Sequence, residues 1–488
     1  MGVVIKETIK GSVFQYLGIL LGGLNVAILF PKLLGDSNWG TLSIIVSTVT
    51  IFAQLSSLGA GPIVLKYFPS FSKNEKQKGF VSYTLRLTLY GVLLFSSILI
   101  LSKSYFLIDL VQNNTLNVGF LSLVLGILFF TTLFNLVNSF IVINLKSGFS
   151  FFLKEFLIRF LQTIIVLVYA LFDLSLEFFL LLFMLSYLLA TTVGFLHLIK
   201  HRFITLKDCF EKSHNINKKE YFTYGLYTIV SGFGATFVGN IDVIMLGMLA
   251  INGEILAGKY KTAVYLTALI SIPLRPLFQI MYSLISNWWK DNKFTDIERM
   301  YKQSTKIGLL ISGSLLIFLL INISWLSTFL FTNLTDAFYI ILFCGIGQLV
   351  SAATGVNGTL ISLSTYYKFT AYSVFTLALI NLLLNYWLIP IYQAEGAAIA
   401  TGLSLTLFNL SKMIYVKMKL KMSVFNTDFF VLLLLLISSL VVVIVLYQQI
   451  ILSVTTSIIV SLAFSLLLFV YFYFSGTLDK IKSLIAKK

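Results

Sequence analysis

Charge is scarce in this 488-residue chain. Asp, Glu, Lys and Arg together make up 11% of it, where a soluble globular protein carries about a quarter. No stretch is polar enough or long enough for a soluble domain. Cysteine is nearly missing: Cys209 falls in a charged loop and Cys344 in an apolar run, so no disulfide framework exists and both read as unpaired and inert. The three histidines, His197, His201 and His214, cluster at the end of one apolar run and in the loop after it, where they read as solvated residues beside the membrane. The sequence has no His/Cys/carboxylate cluster at metal-ligand spacing, no Gly-rich phosphate loop and no Ser-His-Asp set. Metal, nucleotide and acyl-transfer chemistry therefore have no visible carrier, and an enzyme is not expected.

Apolar sequence is what the chain has in abundance. Hydrophobic residues make up 58% and the mean hydropathy is +0.94. Runs of roughly 20 apolar residues, the length that crosses a bilayer, recur from end to end. The expected fold is an all-α polytopic membrane protein of about fourteen helices, over 12–30, 41–66, 80–101, 118–145, 153–172, 176–199, 221–249, 255–286, 306–322, 335–363, 368–389, 396–418, 428–447 and 452–474. The first run follows Lys6, Glu7 and Lys10 and has no small-residue cleavage site after it, so it reads as a retained helix.

The basic residues test this count. With the N-terminus placed in the cytoplasm and the spans alternating, the outer loops hold only Lys32 and Lys103. Arg86, Arg159, Lys259, Lys261 and Arg275 fall inside spans, and the other 28 of the 35 lysines and arginines fall in cytoplasmic segments. So strong a bias predicts that both termini are cytoplasmic, in the cell's inner (cytoplasmic) membrane. It also accounts for the net charge of +16 through topology and anionic headgroups, with no nucleic acid implied. The outer loops are short, the longest near 102–117, which disfavours a membrane polymerase or glycosyltransferase acting outside.

The most charged loop, about 200–219, follows six spans, and six more precede the basic run Lys412 to Lys421. Lys154, span 5, the acidic turn Asp173 and Glu177, and span 6 resemble Lys368, span 11, the turn at Glu395, and span 12. Two six-helix lobes in pseudo-two-fold arrangement are expected, 1–205 and 206–422, with two further spans and a cytoplasmic tail over 423–488 and the substrate site between the lobes.

Polar residues inside the spans sort by depth. The chain has six prolines, and two of them, Pro273 and Pro276, flank Arg275. A charge in hydrocarbon costs roughly several kcal/mol and marks a functional site. Broken helices at that depth line protein-enclosed cavities. Arg86 and Arg159 lie about 10 Å in from the cytoplasmic ends of spans 3 and 5, and Arg275 lies nearer the midplane of span 8. Gln279, four residues on, shares its face. These four are the candidate diphosphate contacts, since guanidiniums grip phosphate by charge-assisted, often bidentate bonds; snorkelling to headgroups is the alternative for Arg86 and Arg159. In the outer half lie Asp242 on span 7, Asn381 and Asn385 one turn apart on span 11, and Thr401 on span 12. One carboxylate with amide and hydroxyl oxygens suits Na⁺, and Asp242 alone suits H⁺. The alternatives are pairing of Asp242 with Lys259 or Lys261 and plain interhelical hydrogen bonds.

The stretch Asn385-Tyr386-Trp387-Leu388-Ile389-Pro390, followed by Glu395-Gly396-Ala397-Ala398-Ile399-Ala400-Thr401, resembles the hallmark of polysaccharide transporters of the multidrug/oligosaccharidyl-lipid/polysaccharide exporter superfamily. So do Pro31-Lys32-Leu33-Leu34-Gly35 with Trp39-Gly40, and Ile241-Asp242-Val243-Ile244-Met245-Leu246-Gly247 with Gly258-Lys259-Tyr260. The resemblance covers the whole chain. It implies a flippase for a polyprenyl-diphosphate-linked oligosaccharide, working by alternating access in O-antigen, capsule or similar surface polysaccharide synthesis. It implies membrane lipids and the lipid-linked oligosaccharide as partners, polysaccharide polymerase or chain-length machinery as candidate partners, a monomer, and no cofactor beyond a coupling Na⁺ or H⁺. Related lipid II flippases place a sodium site on spans 7, 11 and 12, which maps onto Asp242, Asn381, Asn385, the Ala397 carbonyl and Thr401. This chain departs from them in carrying Asn385 in place of a second carboxylate and no Lys or Arg in span 1, which shifts the anion role toward Arg275. A drug/cation antiporter of the same fold, a membrane glycan polymerase and a relative of eukaryotic glycolipid scramblases are the rival readings.

Overall fold

The computed structural model describes residues 2–70, 75–101, 118–144, 146–210, 217–330, 337–366, 368–449 and 454–474. The longest of the expected outer loops, near 102–117, His214 and the expected cytoplasmic tail lie outside them. Among the described residues every regular element is helical, as hydrocarbon demands of a chain that must satisfy its own backbone hydrogen bonds. The protein is a polytopic membrane protein. Its contacts divide it into two compact units, Met1–Gly258 and Lys259–Lys488.

Unit 1 contains α1 (Gly2–Leu24), α2 (Asp36–Ser56), α3 (Ala60–Tyr67), α4 (Glu75–Leu101), α5 (Val118–Ile143), α6 (Ile158–Phe172), α7 (Leu176–Lys200), α8 (Lys218–Val238) and α9 (Ile241–Leu249). Helix α10 (Gly253–Ala268) begins in it. Helix α5 packs against α7, α2 and α3, and α1 lies along the segment that leads into α6. Two apolar clusters form the core. One gathers Phe30, Trp39, Leu42, Phe120, Leu128, Phe179 and Phe183; the other gathers Ile63, Phe80, Phe134, Phe140, Ile141 and Leu198. Along α5 the first takes Phe120 to Leu128 and the second Phe134 to Ile141, and the polar side chains between and beside them face a cavity described below.

Unit 2 contains α11 (Leu274–Lys290), α12 (Phe294–Ile321), α13 (Phe338–Ala353), α14 (Asn357–Leu363), α15 (Lys368–Leu420), α16 (Thr427–Gln449) and α17 (Val454–Phe474). Helix α12 is its spine and packs on α13, α16 and α17. The buried Lys306 of α12 is ion-paired with Asp428 at the start of α16. Asn322, fully buried at the end of α12, donates from Nδ2 to Ser461 Oγ (3.2 Å) and accepts at Oδ1 from Ser457 Oγ (3.0 Å) on α17.

Nine helices among the described residues are long and apolar enough to cross a membrane, or twelve if each of three bent pairs is one span. The bends explain where single spans were expected. The 255–286 span breaks at Pro273 by 46°, as two prolines predict, but the 221–249 and 335–363 spans also bend, by 54° and 50°. Helix α15 holds 53 residues and enters the count once. At 1.5 Å per residue it would run to about 80 Å, far beyond a hydrocarbon core of about 30 Å. Its backbone leaves the helical region at Gln393 (φ 53°, ψ −130°), between the two spans expected at 368–389 and 396–418. Within α17 the stretch that qualifies as apolar helix, Thr455–Phe464, is too short to be counted as a span. The expected fourteen is therefore not reached by this count.

Candidate functional site

Unit 1 holds a cavity of about 560 Å³ lined from seven helices, α2 to α8, and from the segment that precedes α6. Its first wall is a break. Helix α2 ends at Ser56 and α3 starts at Ala60, with Leu58 (φ 43°) and Gly59 (φ 75°) between them in the left-handed region. A side chain at Gly59 would be strained by that φ, and its Cβ would lie 2.4 Å from the Gly225 backbone. Ser57 Oγ donates to Gln54 O (2.8 Å) and accepts from Gly59 N–H (3.3 Å). The turn is thus satisfied locally, and Gln54, Ser57, Gly61 and Pro62 line the cavity. The second wall is the stripe Thr131, Asn135, Asn138 and Ser139 of α5, spaced to share one helix face.

The third wall holds the charges. Residues 152–157 form a π-helical turn before α6, and such turns shift which side chains face a site. Lys154, Glu155, Arg159 and Gln162 line the cavity from this stretch. Arg159 Nη2 pairs with Glu155 Oε2 at 2.8 Å, with side chains 28% and 18% exposed, and Nη1 donates to the Gly18 carbonyl at 2.5 Å. Residue 18 must be glycine here, because a Cβ would sit 2.4 Å from Glu155 O. A second π-helical turn, Asn25–Leu29, follows α1. Its buried Asn25 donates from Nδ2 to Arg159 O (3.1 Å) and accepts at Oδ1 from Thr163 Oγ1 (2.8 Å). The two irregular turns therefore fix Arg159 from both its side chain and its backbone.

Of the four residues expected at a diphosphate, only Arg159 lines this cavity. Arg86 is exposed on α4. Arg275 and Gln279 are exposed one turn apart on α11 of unit 2, just past the Pro273 break. Of the five expected at a coupling ion, Asn381, Asn385, Ala397 and Thr401 are buried in unit 2. Asn385 Nδ2 donates to Asn381 Oδ1 (3.2 Å) and Asn381 Nδ2 to Thr401 Oγ1 (3.3 Å). Thr401 Oγ1 meets the Tyr260 hydroxyl at 3.3 Å, which accepts from Cys344 Sγ at 3.8 Å. Asp242 is buried in unit 1, in the first turn of α9 after the bend at Asn240. Sequence reasoning missed Glu155, Gln54 and the α5 stripe in unit 1, and Tyr260 and Cys344 in unit 2. The 131/135/138/139 spacing and the Glu155–Arg159 i,i+4 pair were the available signals.

A family model described as "Polysaccharide biosynthesis protein" matches residues 4–289, more than half of the chain. A probable low-salt glycan biosynthesis flippase, Agl15 of Haloferax volcanii, is 24% identical over 189 residues, covering 38% of this chain and 40% of that protein. The fold is similar to that of the lipid II flippase MurJ in an inward closed conformation, with TM-score 0.71 at 16% identity over 98% of this chain and 100% of that one. It is also similar to an inward-facing multidrug resistance MATE family transporter of the MOP superfamily, with TM-score 0.61 at 12% identity over 83% and 94%. The named relatives are transporters and flippases rather than enzymes.

Proposed function

Since the chain belongs to the polysaccharide biosynthesis protein family, we propose that it is a flippase carrying a polyprenyl-diphosphate-linked oligosaccharide across the cytoplasmic membrane. The observation that carries this reading is the unit 1 cavity. A volume of about 560 Å³ falls within the usual range for ligand sites, roughly 300–1,000 Å³. Hydrocarbon gives no reason to gather a carboxylate, two cations and a stripe of amides and hydroxyls around a void unless a polar cargo enters it. The name of the Haloferax relative supports glycan as the cargo.

Most of the lining comes from the last turns of α2, the second half of α5 and the starts of α3 and α6, helix ends flanked by Lys66, Lys146 and Lys154. With the termini in the cytoplasm, as the basic residues predict, that is the side on which a lipid-linked glycan is loaded. Arg86 of unit 1, and Arg275 and Gln279 of unit 2, are each exposed and stay candidate diphosphate contacts. In unit 2 the Asn381, Asn385 and Thr401 network with the Ala397 carbonyl, and in unit 1 Asp242, are the candidate Na⁺ or H⁺ coupling residues. Alternating access then moves the head group while the prenyl tail stays in lipid.

Mass spectrometry of lipid extracts from a deletion strain tests the reading. A lipid-linked oligosaccharide should accumulate and clear on complementation with the wild-type gene but not with Arg275→Ala. Normal surface glycan, no accumulating intermediate and a loss of drug export would replace this reading with the antiporter.

A further inference from the structure

We propose that the unit 1 cavity is a saccharide subsite that takes uncharged, hydroxyl-rich sugar residues, and that the charge of Arg159 is committed to holding Glu155 rather than to phosphate. The proposal rests on the flippase reading and names the chemistry of one of its sites. Three observations carry it.

The guanidinium of the cavity is already engaged. Arg159 spends one Nη on Glu155 (2.8 Å) and the other on the Gly18 carbonyl (2.5 Å). A diphosphate entering here would meet the Glu155 carboxylate as well as Lys154, and like charges repel strongly at close range in a poorly solvated site. A sugar hydroxyl meets no such penalty. It can donate to the carboxylate and accept from the guanidinium edge.

The rest of the wall is made of groups that both donate and accept. Gln54, Asn135, Asn138, Gln162, Thr131 and Ser139 all line the cavity. Amides and hydroxyls match the mixed donor and acceptor pattern of adjacent sugar hydroxyls, whereas a phosphate offers acceptors only.

The wall is also incompletely satisfied. Thr131 Oγ1 and the Asn138 amide oxygen are out of solvent reach and have no hydrogen-bond partner among the described residues. A buried polar atom without a partner is destabilising, and both atoms belong to side chains of the α5 stripe that lines the cavity.

The test separates sugar from phosphate on the purified full-length protein in nanodiscs. Three probes are bound by native mass spectrometry: the lipid-linked glycan extracted from the deletion strain, the same glycan released by mild acid, and a polyprenyl diphosphate without sugar. Asn135→Leu and Gln54→Leu should each weaken the lipid-linked and the released glycan at least tenfold and shift the sugar-free diphosphate less than twofold. Thermal unfolding checks that each variant is folded; where a leucine variant lacks the wild-type transition, Asn135→Ser or Gln54→Ala replaces it. Glycan affinities within twofold of wild type in folded variants would overturn the subsite and leave the flippase reading standing. A loss of tenfold or more for the sugar-free diphosphate in the same variants would also overturn it, by making the cavity a phosphate site. A wild-type protein that fails to bind the lipid-linked glycan at all would overturn both.

Discussion

Removing either partner of the Glu155–Arg159 pair should destabilise the protein, and removing both should cost less than the sum. The contact is 2.8 Å long and its side chains are 18% and 28% exposed, between a surface pair and a buried one. Two charges about 4 Å apart attract by roughly 4 kcal/mol at an effective dielectric near 20. Desolvation and side-chain ordering remove much of that, since exposed pairs keep about 0.2–1 kcal/mol and breaking a buried pair costs about 3–5 kcal/mol. A coupling of about 1.5–2 kcal/mol is expected between Glu155→Gln and Arg159→Gln, measured as a double-variant cycle by equilibrium unfolding in mixed micelles. Arg159→Gln should also cost about 1 kcal/mol more than Glu155→Gln, because it loses the bond to the Gly18 carbonyl,. A coupling within about 0.3 kcal/mol of zero, or equal costs for the two single variants, would refute the claim that Glu155 holds Arg159.

Four further outcomes are expected. Gly59→Ala should destabilise by roughly 2 kcal/mol or more, read by the same unfolding titration, because the residue holds φ 75° and its Cβ would lie 2.4 Å from Gly225,. Asp428→Asn strands the buried Lys306 ammonium and should cost about 2–4 kcal/mol, while Lys306→Met with Asp428→Leu should return to within about 1 kcal/mol of wild type in thermal unfolding. Asn25→Ala removes a buried bridge between Arg159 O and Thr163 and should lower stability by about 1–3 kcal/mol. Burial, and then the neighbouring Asp208 charge, push the Cys209 thiol above its usual range. Maleimide labelling of Cys209 should therefore be slow at neutral pH and accelerate as pH rises, and Asp208→Asn should speed it by lowering the thiol's pKa.

The membrane class and the helix positions were legible because hydrocarbon imposes a length and a composition on each span. The Pro273 break was legible because proline removes a donor. The breaks at Gly59, Asn240 and Gly355 carry no such signal: Gly35, Gly59 and Gly355 are all at positive φ, but most other glycines among the described residues lie within helices. Depth along a span can be read from sequence, whereas direction around the helix cannot. Arg86 and Arg159 sit at the same expected depth, yet Arg86 is exposed and Arg159 faces the cavity. The π-helical turns at 25–29 and 152–157 also shift the face by a fraction of a turn, which a 3.6-residue period does not anticipate. The weight given to charge hid the α5 stripe, since Asn135, Asn138 and Ser139 are neutral and look like ordinary interhelical polar residues.

The central claim is that this protein moves a lipid-linked glycan through a polar cavity, and reconstituted transport tests it most directly. Proteoliposomes holding the purified chain and the lipid-linked oligosaccharide from the deletion strain would be treated with an impermeant periodate, which oxidises only outward-facing sugars. The account predicts that the protected half of the glycan becomes accessible with wild-type protein, and at least tenfold more slowly with Asn135→Leu. Protection equal to that of protein-free liposomes would contradict it.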